Sequence, residues 1–222
     1  MNPKLVIFDL DGTLLDTIDD LGAAVNHAMQ LRGFPLHTRD EYMRMVGHGA
    51  RNLMRQALPE GHKDDDMVET AYNDFKAYYT DHIDVHTKPF PGIQELMATL
   101  HHEGVLLAVA SNKFQEGTEH LIKEFFTDIP FVAVLGNRPG FPYKPSPEIV
   151  EEVLHKVGVK KEEAVMVGDS DTDMETAANG GIEGIAVNWG YRNMKELADK
   201  LSAFRQAQVV DSAEELQKIL LP

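Results

Sequence analysis

The 222-residue chain has no cysteine. Disulfides, thiolate metal centres and thiol nucleophiles are therefore excluded. Its longest apolar stretch, Val105–Ala110, has the length of a strand and falls far short of the roughly 20 residues of a membrane span. Basic residues are scarce, with 21 Lys and Arg against 36 Asp and Glu and a formal net charge of −15. Such a surface repels the nucleic-acid backbone, so neither nucleic acid nor a membrane is expected as a partner. Acidic residues from Asp9 onward break the apolar region a secretory signal would need, and the chain reads as cytoplasmic. The ten histidines are scattered, and the adjacent His101 and His102 would point to different helix faces, which argues against a zinc cluster. No internal repeat or low-complexity tract is present, and the Asp64–Asp66 run reads as a solvated helix start.

A content of 43% hydrophobic and 26% charged residues is ordinary for a globular chain, and the length suits one large domain carrying an insertion. Apolar runs bounded by turn residues recur at Leu5–Phe8, Val105–Ala110, Phe131–Leu135, Ala164–Val167, Ile185–Val187 and Gln208–Val210. They predict buried parallel strands. Between most of them lie segments of helical period, such as Ile93, Leu96, Met97, Leu100 before Gly104, and Ile149, Val150, Val153, Leu154, Val157 before Gly158. A last helix starts at Ser212 with Glu215 in capping-box spacing. Strands alternating with helices predict an α/β fold with a doubly wound parallel sheet. About 95 residues separate the first two strands, where a crossover needs only a dozen or more. That segment is helical throughout: Leu14, Ile18, Leu21, Val25 and Ala28 form one stripe, Thr38 and Glu41 a capping box, and Val68, Ala71, Tyr72, Phe75 and Tyr79 another stripe. Residues 15–85 are thus expected to be an inserted helical bundle, and residues 1–14 and 86–222 the sheet domain, with hinges at Leu14–Asp16 and His86–Pro91.

The first strand runs directly into Asp9-Leu10-Asp11-Gly12-Thr13, at the carboxyl end where open α/β sheets bind ligands. Two carboxylates a few ångströms apart need a cation or a shared proton. The strand Ala164–Val167 likewise runs into Gly168-Asp169-Ser170-Asp171-Thr172-Asp173. Carboxylates and carbonyls without thiolate or clustered imidazole select Mg²⁺ or Mn²⁺, and Mg²⁺ commonly accompanies phosphate. Anion-binding groups are available: Ser111-Asn112-Lys113 after the second strand, and Lys144 between prolines in Pro142-Tyr143-Lys144-Pro145. Taken alone, Ser111 also reads as a turn residue and Lys144 as a surface lysine. Asp16, Asp19 and Asp171 read as helix-start acids.

The ordered series Asp9-Leu10-Asp11-Gly12-Thr13, Ser111, Lys144, and Gly168-Asp169 with Asp173 resembles the four motifs of the haloacid dehalogenase (HAD) superfamily, and covers nearly the whole chain. The insertion after strand one resembles that superfamily's class I cap on a HAD-like Rossmannoid core. Ser111-Asn112-Lys113, Lys144-Pro145-Ser146-Pro147 and Val46-Gly47-His48-Gly49-Ala50-Arg51 are similar to phosphoglycolate phosphatases and their close relatives. The resemblance implies a Mg²⁺-dependent phosphatase acting on a small-metabolite phosphate ester, 2-phosphoglycolate first among them. It implies Asp9 as the nucleophile that becomes an aspartyl-phosphate, and Asp11 as the acid and base. It further implies a metal held by Asp9, the Asp11 carbonyl and Asp169. Ser111, Lys144 and the Asn112 amide would hold phosphate, and Asp173 and Thr13 would support them. Gly47, His48 and Arg51 are the cap residues expected to face the substrate, Arg51 through a substrate carboxylate.

Two other readings share much of this pattern. A phosphosugar mutase of the β-phosphoglucomutase type has the same fold and returns the phosphate to a sugar. A phosphoryl-accepting receiver domain also joins clustered acids, a hydroxyl and a lysine, but its acceptor follows a middle strand and its chain is about half this length. A dehalogenase is disfavoured by the carboxylate at Asp11, and a phosphonate hydrolase by the polar surroundings of Lys63 and Lys76.

Overall fold

Leu5–Phe8 is apolar at every position, and a strand with no polar face must be covered on both sides. In the computed structural model, which describes residues 1–197 and 208–222, this run is strand β1 (Leu5–Phe8), fully buried at the middle of a six-stranded parallel sheet. On one side of it lie β4 (Leu106–Phe114) and then β5 (Phe131–Asn137), and on the other β6 (Ala164–Gly168), β7 (Glu183–Val187) and β8 (Gln208–Val210). Leu5 stands opposite Leu106 on one flank and Ala164 on the other. The two-residue period of a strand sends Val6 and Phe8 to one face and Leu5 and Ile7 to the other. The first pair joins the apolar cluster containing Ile93, Leu96 and Leu100 of α5 (Ile93–His102), Leu121 of α6 (Gln115–Phe125) and Leu216 of α9 (Ala213–Leu220). The second packs on Ile149, Val150 and Val153 of α7 (Glu148–Val157) and Ala177 of α8 (Asp171–Gly180). Helices therefore cover both faces, and the crossovers diverge to either side of β1, which opens a crevice at the carboxyl ends of β1, β4 and β6.

The long connection after β1 folds into α1 (Ile18–Gln30), α2 (Arg39–Met45), α3 (Ala50–Ala57) and α4 (Asp65–Asp81). The stripe of α1 packs on that of α4, and the Thr38 amide donates to Glu41 at 2.7 Å to start α2. The chain leaves and re-enters the sheet domain through a small antiparallel ribbon, β2 (Leu15–Asp16) against β3 (Lys88–Pro89). The ribbon is clamped by Asp20 of α1, whose buried carboxylate accepts from the amides of His86 and Thr87 and the hydroxyl of Thr87 at 2.8–3.0 Å. No helix among the described residues is long and apolar enough to cross a membrane.

Two local expectations are corrected. The second long strand does not stop at Ala110; β4 continues through Ser111, Asn112 and Lys113 to Phe114, with a register shift against β5 after Ala110. Two of the three polar residues that read as a turn find distant partners, Asn112 on Gly47 and Lys144, and Lys113 on Asp11, and the segment stays extended. Asp16 is no helix start either: it lies in β2 and pairs with Arg39 at 3.0 Å, whereas Asp19 and Asp171 occupy first turns.

Candidate active site

Four connections converge at the crevice. Asp9 and Asp11 leave β1, Ser111 to Lys113 end β4, Lys144 lies on the connection from β5 to α7, and Asp169 to Asp173 run from β6 into α8. The turn after β1 is tight: Gly12 has φ +85°, and a Cβ there would lie 2.3 Å from the Asp169 carboxylate, so only glycine lets the two acidic segments meet.

Lys144 organises the floor. Its buried Nζ donates to Asp9 Oδ1 at 2.9 Å, Asp173 Oδ1 at 2.7 Å and the Ala110 carbonyl at 2.9 Å. Asp173 Oδ2 accepts from the Ser170 hydroxyl at 2.6 Å and its amide at 3.2 Å, so both oxygens of Asp173 are committed to orienting neighbours. Asp9 Oδ1 also accepts from the Leu10 amide at 2.7 Å, whereas no described hydrogen bond engages Oδ2. Asp169 accepts from the Tyr191 amide at 2.7 Å, with the Thr13 hydroxyl at 3.5 Å from its other oxygen.

The electrostatics of this floor are unbalanced. Burial pushes the Asp9 carboxyl up to about 7, with Asp173 and Asp11 adding to the shift and Lys144 opposing it. Asp169 is raised well above the usual carboxylate range by burial and by the charges of Asp173 and Asp9. Burial opposes the charge on Lys144, but the Asp173 and Asp9 carboxylates more than offset it and raise its pKa. Asp9, Asp169 and Asp173 offer oxygens within 4.8 Å of one another against a single ammonium. A hard-oxygen cluster with excess negative charge fits a small divalent cation of the Mg²⁺ kind. Because Asp173 is already spent, Asp9 and Asp169 are the side chains best placed to hold it.

Asp11 sits apart from that cluster. Its Oδ1 accepts from the Thr17 hydroxyl at 2.6 Å, and both its oxygens accept from Lys113 Nζ, at 2.8 and 3.0 Å. Asp9, Asp11, Ser111, Asn112 and Asp169 line one cavity of about 60 Å³, roofed by Leu21, Val46, Gly47, Leu53, Phe75 and Tyr79 of the helical segment. The Asn112 side chain is used elsewhere: it donates to the carbonyls of Gly47 (2.9 Å) and Lys144 (3.2 Å) and accepts from the Lys144 amide (2.8 Å). Only its backbone amide is left for an anion.

Of the three roof residues named from sequence, Gly47 reaches the cavity, but His48 and Arg51 are not among the residues that line it. Arg51 makes a two-pronged pair with Glu69, at 2.7 and 2.9 Å, and lies over the Tyr72 ring at 4.0 Å. A carboxylate and an aromatic face on α4 compete for the guanidinium and hold it outside the cavity. Close approach of roof and floor depends instead on Gly49, at φ +81°, where a Cβ would strike the Tyr143 ring at 2.4 Å.

Several residues of the site were not anticipated. Beyond Tyr79, the segment after β7 supplies three. Trp189 donates to the Thr13 carbonyl at 3.1 Å, Tyr191 binds Asp169 and, through its hydroxyl, the Thr17 amide at 2.7 Å, and Arg192 donates to the carbonyls of Met43, Arg44 and Val46 at the end of α2. The available signal was position: Asn188-Trp189-Gly190-Tyr191-Arg192 directly follows a parallel strand on the ligand-binding edge.

A family model described as haloacid dehalogenase-like hydrolase matches residues 6–187 of the chain. A phosphoglycolate phosphatase of Mesorhizobium japonicum is 34% identical over 200 residues, 88% of either chain. One from Aliivibrio fischeri is 31% identical over 201 residues, again 88% of each. Among solved structures, a candidate phosphoglycolate phosphatase from Lactobacillus delbrueckii subsp. bulgaricus matches with a TM-score of 0.90 at 35% identity, over 100% of this chain and 99% of that one.

Proposed function

The chain belongs to the haloacid dehalogenase-like hydrolase family and is a phosphoric monoester hydrolase, and from that premise we propose that it is a Mg²⁺-dependent phosphatase working through an aspartyl-phosphate, with 2-phosphoglycolate as its substrate. The observation that carries the reading is the pairing of Asp9, with Oδ2 unengaged, and Asp11, held two residues away by a separate set of partners. Two carboxylates in different surroundings can take different roles.

In the first step Asp9 Oδ2 attacks phosphorus, the bond from phosphorus to the ester oxygen breaks, and Asp11 gives its proton to the departing alkoxide. In the second, water attacks the aspartyl-phosphate at phosphorus, Asp11 takes the water proton, and inorganic phosphate and the Asp9 carboxylate are released. Ser111 and the Asn112 amide hold the phosphoryl oxygens as charge shifts among them, and Lys144, its three protons committed to Asp9, Asp173 and the Ala110 carbonyl, contributes through its charge from below. Asp9 and Asp169, with the Asp11 carbonyl, would hold Mg²⁺, which when bound offsets the repulsion between a carboxylate nucleophile and a phosphate dianion. Lys144 keeps Asp9 in place, and Asp173 keeps Lys144 in place. Helices of residues 15–85 act as the cap that shields the reaction from water.

The test is phosphate release from a panel of monoesters, including 2-phosphoglycolate, hexose phosphates and nucleotides, with Mg²⁺ and again with chelator. Strong, chelator-sensitive release from 2-phosphoglycolate is expected. Weak activity spread over the panel would overturn the substrate assignment and bring forward the mutase reading.

A further inference from the structure

The cavity contains a hydroxyl with nothing to bind. Tyr79 of α4 is fully buried, and its Oη has no hydrogen-bond partner among the described residues. An unpaired buried hydroxyl is costly, and folded chains almost always avoid one. Tyr79 cannot swing away to find a partner, because its ring is stacked on Phe75 at 5.3 Å and meets the edge of Phe114 at 6.2 Å. Burial also holds the phenol protonated, so at neutral pH it is available as a donor.

Directly over that ring, 4.8 Å from its centre, is the ammonium of Lys113, whose side chain is almost entirely shielded from water. Two of its protons are directed at Asp11 and the third is uncommitted. Lys113 and Tyr79 line the same cavity, and the neighbouring wall from Leu21, Val46, Leu53 and Phe75 is apolar. A cation and a lone hydroxyl donor, in surroundings that offer no other polar contact from that wall, favour an anion.

We propose that Lys113 and Tyr79 form a leaving-group subsite that selects phosphate esters carrying a carboxylate close to the ester oxygen. The proposal rests on the phosphatase reading above, in which Asp11 touches the ester oxygen. The Lys113 ammonium lies within 3.0 Å of the Asp11 carboxylate, so a charge it can meet lies only a few bonds from that oxygen. In 2-phosphoglycolate a single methylene separates the ester oxygen from the carboxylate carbon. Lys113 comes from β4 and Tyr79 from α4, so the subsite is complete only when the sheet and the helical segment are together.

The experiment compares kcat/KM for 2-phosphoglycolate and for ethyl phosphate, which lacks the carboxylate, in wild type, Lys113→Met and Tyr79→Phe, with thermal melts of each. The wild type should prefer 2-phosphoglycolate. Lys113→Met should lower that preference at least tenfold, and Tyr79→Phe severalfold while melting no lower than wild type, since no hydrogen bond is lost. If Lys113 serves only to position Asp11, both esters lose equally and the preference is unchanged, which overturns the proposal. A wild type that hydrolyses both esters equally overturns the subsite and leaves the phosphatase reading standing. If the wild type releases no phosphate from any ester, the phosphatase reading falls. Calorimetric titration of the same two esters into the Mg²⁺-loaded protein then decides the subsite, tighter binding of 2-phosphoglycolate supporting it and equal binding overturning it.

Discussion

Replacing Lys144 by Met should turn the active-site floor against the fold in a pH-dependent way. The ammonium lies 2.9 Å from Asp9 and 2.7 Å from Asp173, and at an effective dielectric of about 20 each pair is worth about 6 kcal/mol of gross attraction. Most of that is offset by the cost of burying the ions, and breaking such a pair from one side leaves a net loss of about 3–5 kcal/mol. For a chain of this size that is a fall in Tm of about 6–20 °C. The sign of the pH dependence follows from Asp9, whose carboxyl is already raised from 3.8 to about 7 with Lys144 present and must rise further without it. Below its folded pKa the native state carries a proton that the unfolded chain takes up only near pH 4. Stability therefore increases as pH falls from about 8 towards 5, and the variant should recover part of its deficit over that window. Mg²⁺ should restore stability at pH 8 more than at pH 5.5, because it competes with the same proton. Thermal melts of wild type and variant at the two pH values, with and without Mg²⁺, provide the measurement. A deficit under about 1 kcal/mol, or one equal at both pH values, would refute the view that uncompensated carboxylates dominate this floor.

Asp9→Asn should abolish steady-state phosphate release while leaving a folded protein that still binds inorganic phosphate; residual turnover above a few per cent of wild type would remove Asp9 from the nucleophile's role. Asp11→Asn should cost alkyl phosphates about 10²–10⁴ in kcat and nitrophenyl phosphate far less, since nitrophenolate leaves without a proton. Arg51→Ala should change kcat/KM for 2-phosphoglycolate by less than about twofold and stability by about 0–1 kcal/mol, because its pair with Glu69 is half exposed and outside the cavity; a loss of tenfold or more in kcat/KM would put the guanidinium back on the substrate.

The parts of this molecule that could be read from sequence are those whose signal is local. A strand that ends in Asp9-Leu10-Asp11 or Gly168-Asp169 announces carboxylates at the ligand edge of a sheet, and the stripes of α1 and α4 announce helices. What sequence could not supply are contacts between distant positions, such as Lys113 with Asp11 or Tyr191 with Asp169. Tyr79 is instructive, because its place in an apolar stripe reads as core, which it is, and periodicity is blind to the hydroxyl at the far end of the ring. Arg51 shows the complementary case: near two glycines it reads as a substrate contact, and only the packing of α3 against α4 shows its pairing with Glu69. The extension of β4 past Ala110 has the same origin, since the distant partners of Asn112 and Lys113 override a local preference for a turn.

The β2 and β3 ribbon gives the chain an unusual freedom to change. All four helices of residues 18–81 are strung between two strands that already lie side by side, so the ends of that excursion are fixed whatever length of chain joins them. Closing a longer or shorter loop between fixed ends costs little, each doubling of length adding only about 0.6 kcal/mol. Insertions or deletions within the excursion are therefore expected to leave the registers of β1, β4 and β6 in place, and with them the positions of Asp9, Ser111 and Asp169. A different set of helices could then be carried on the same ribbon without disturbing the strands beneath it.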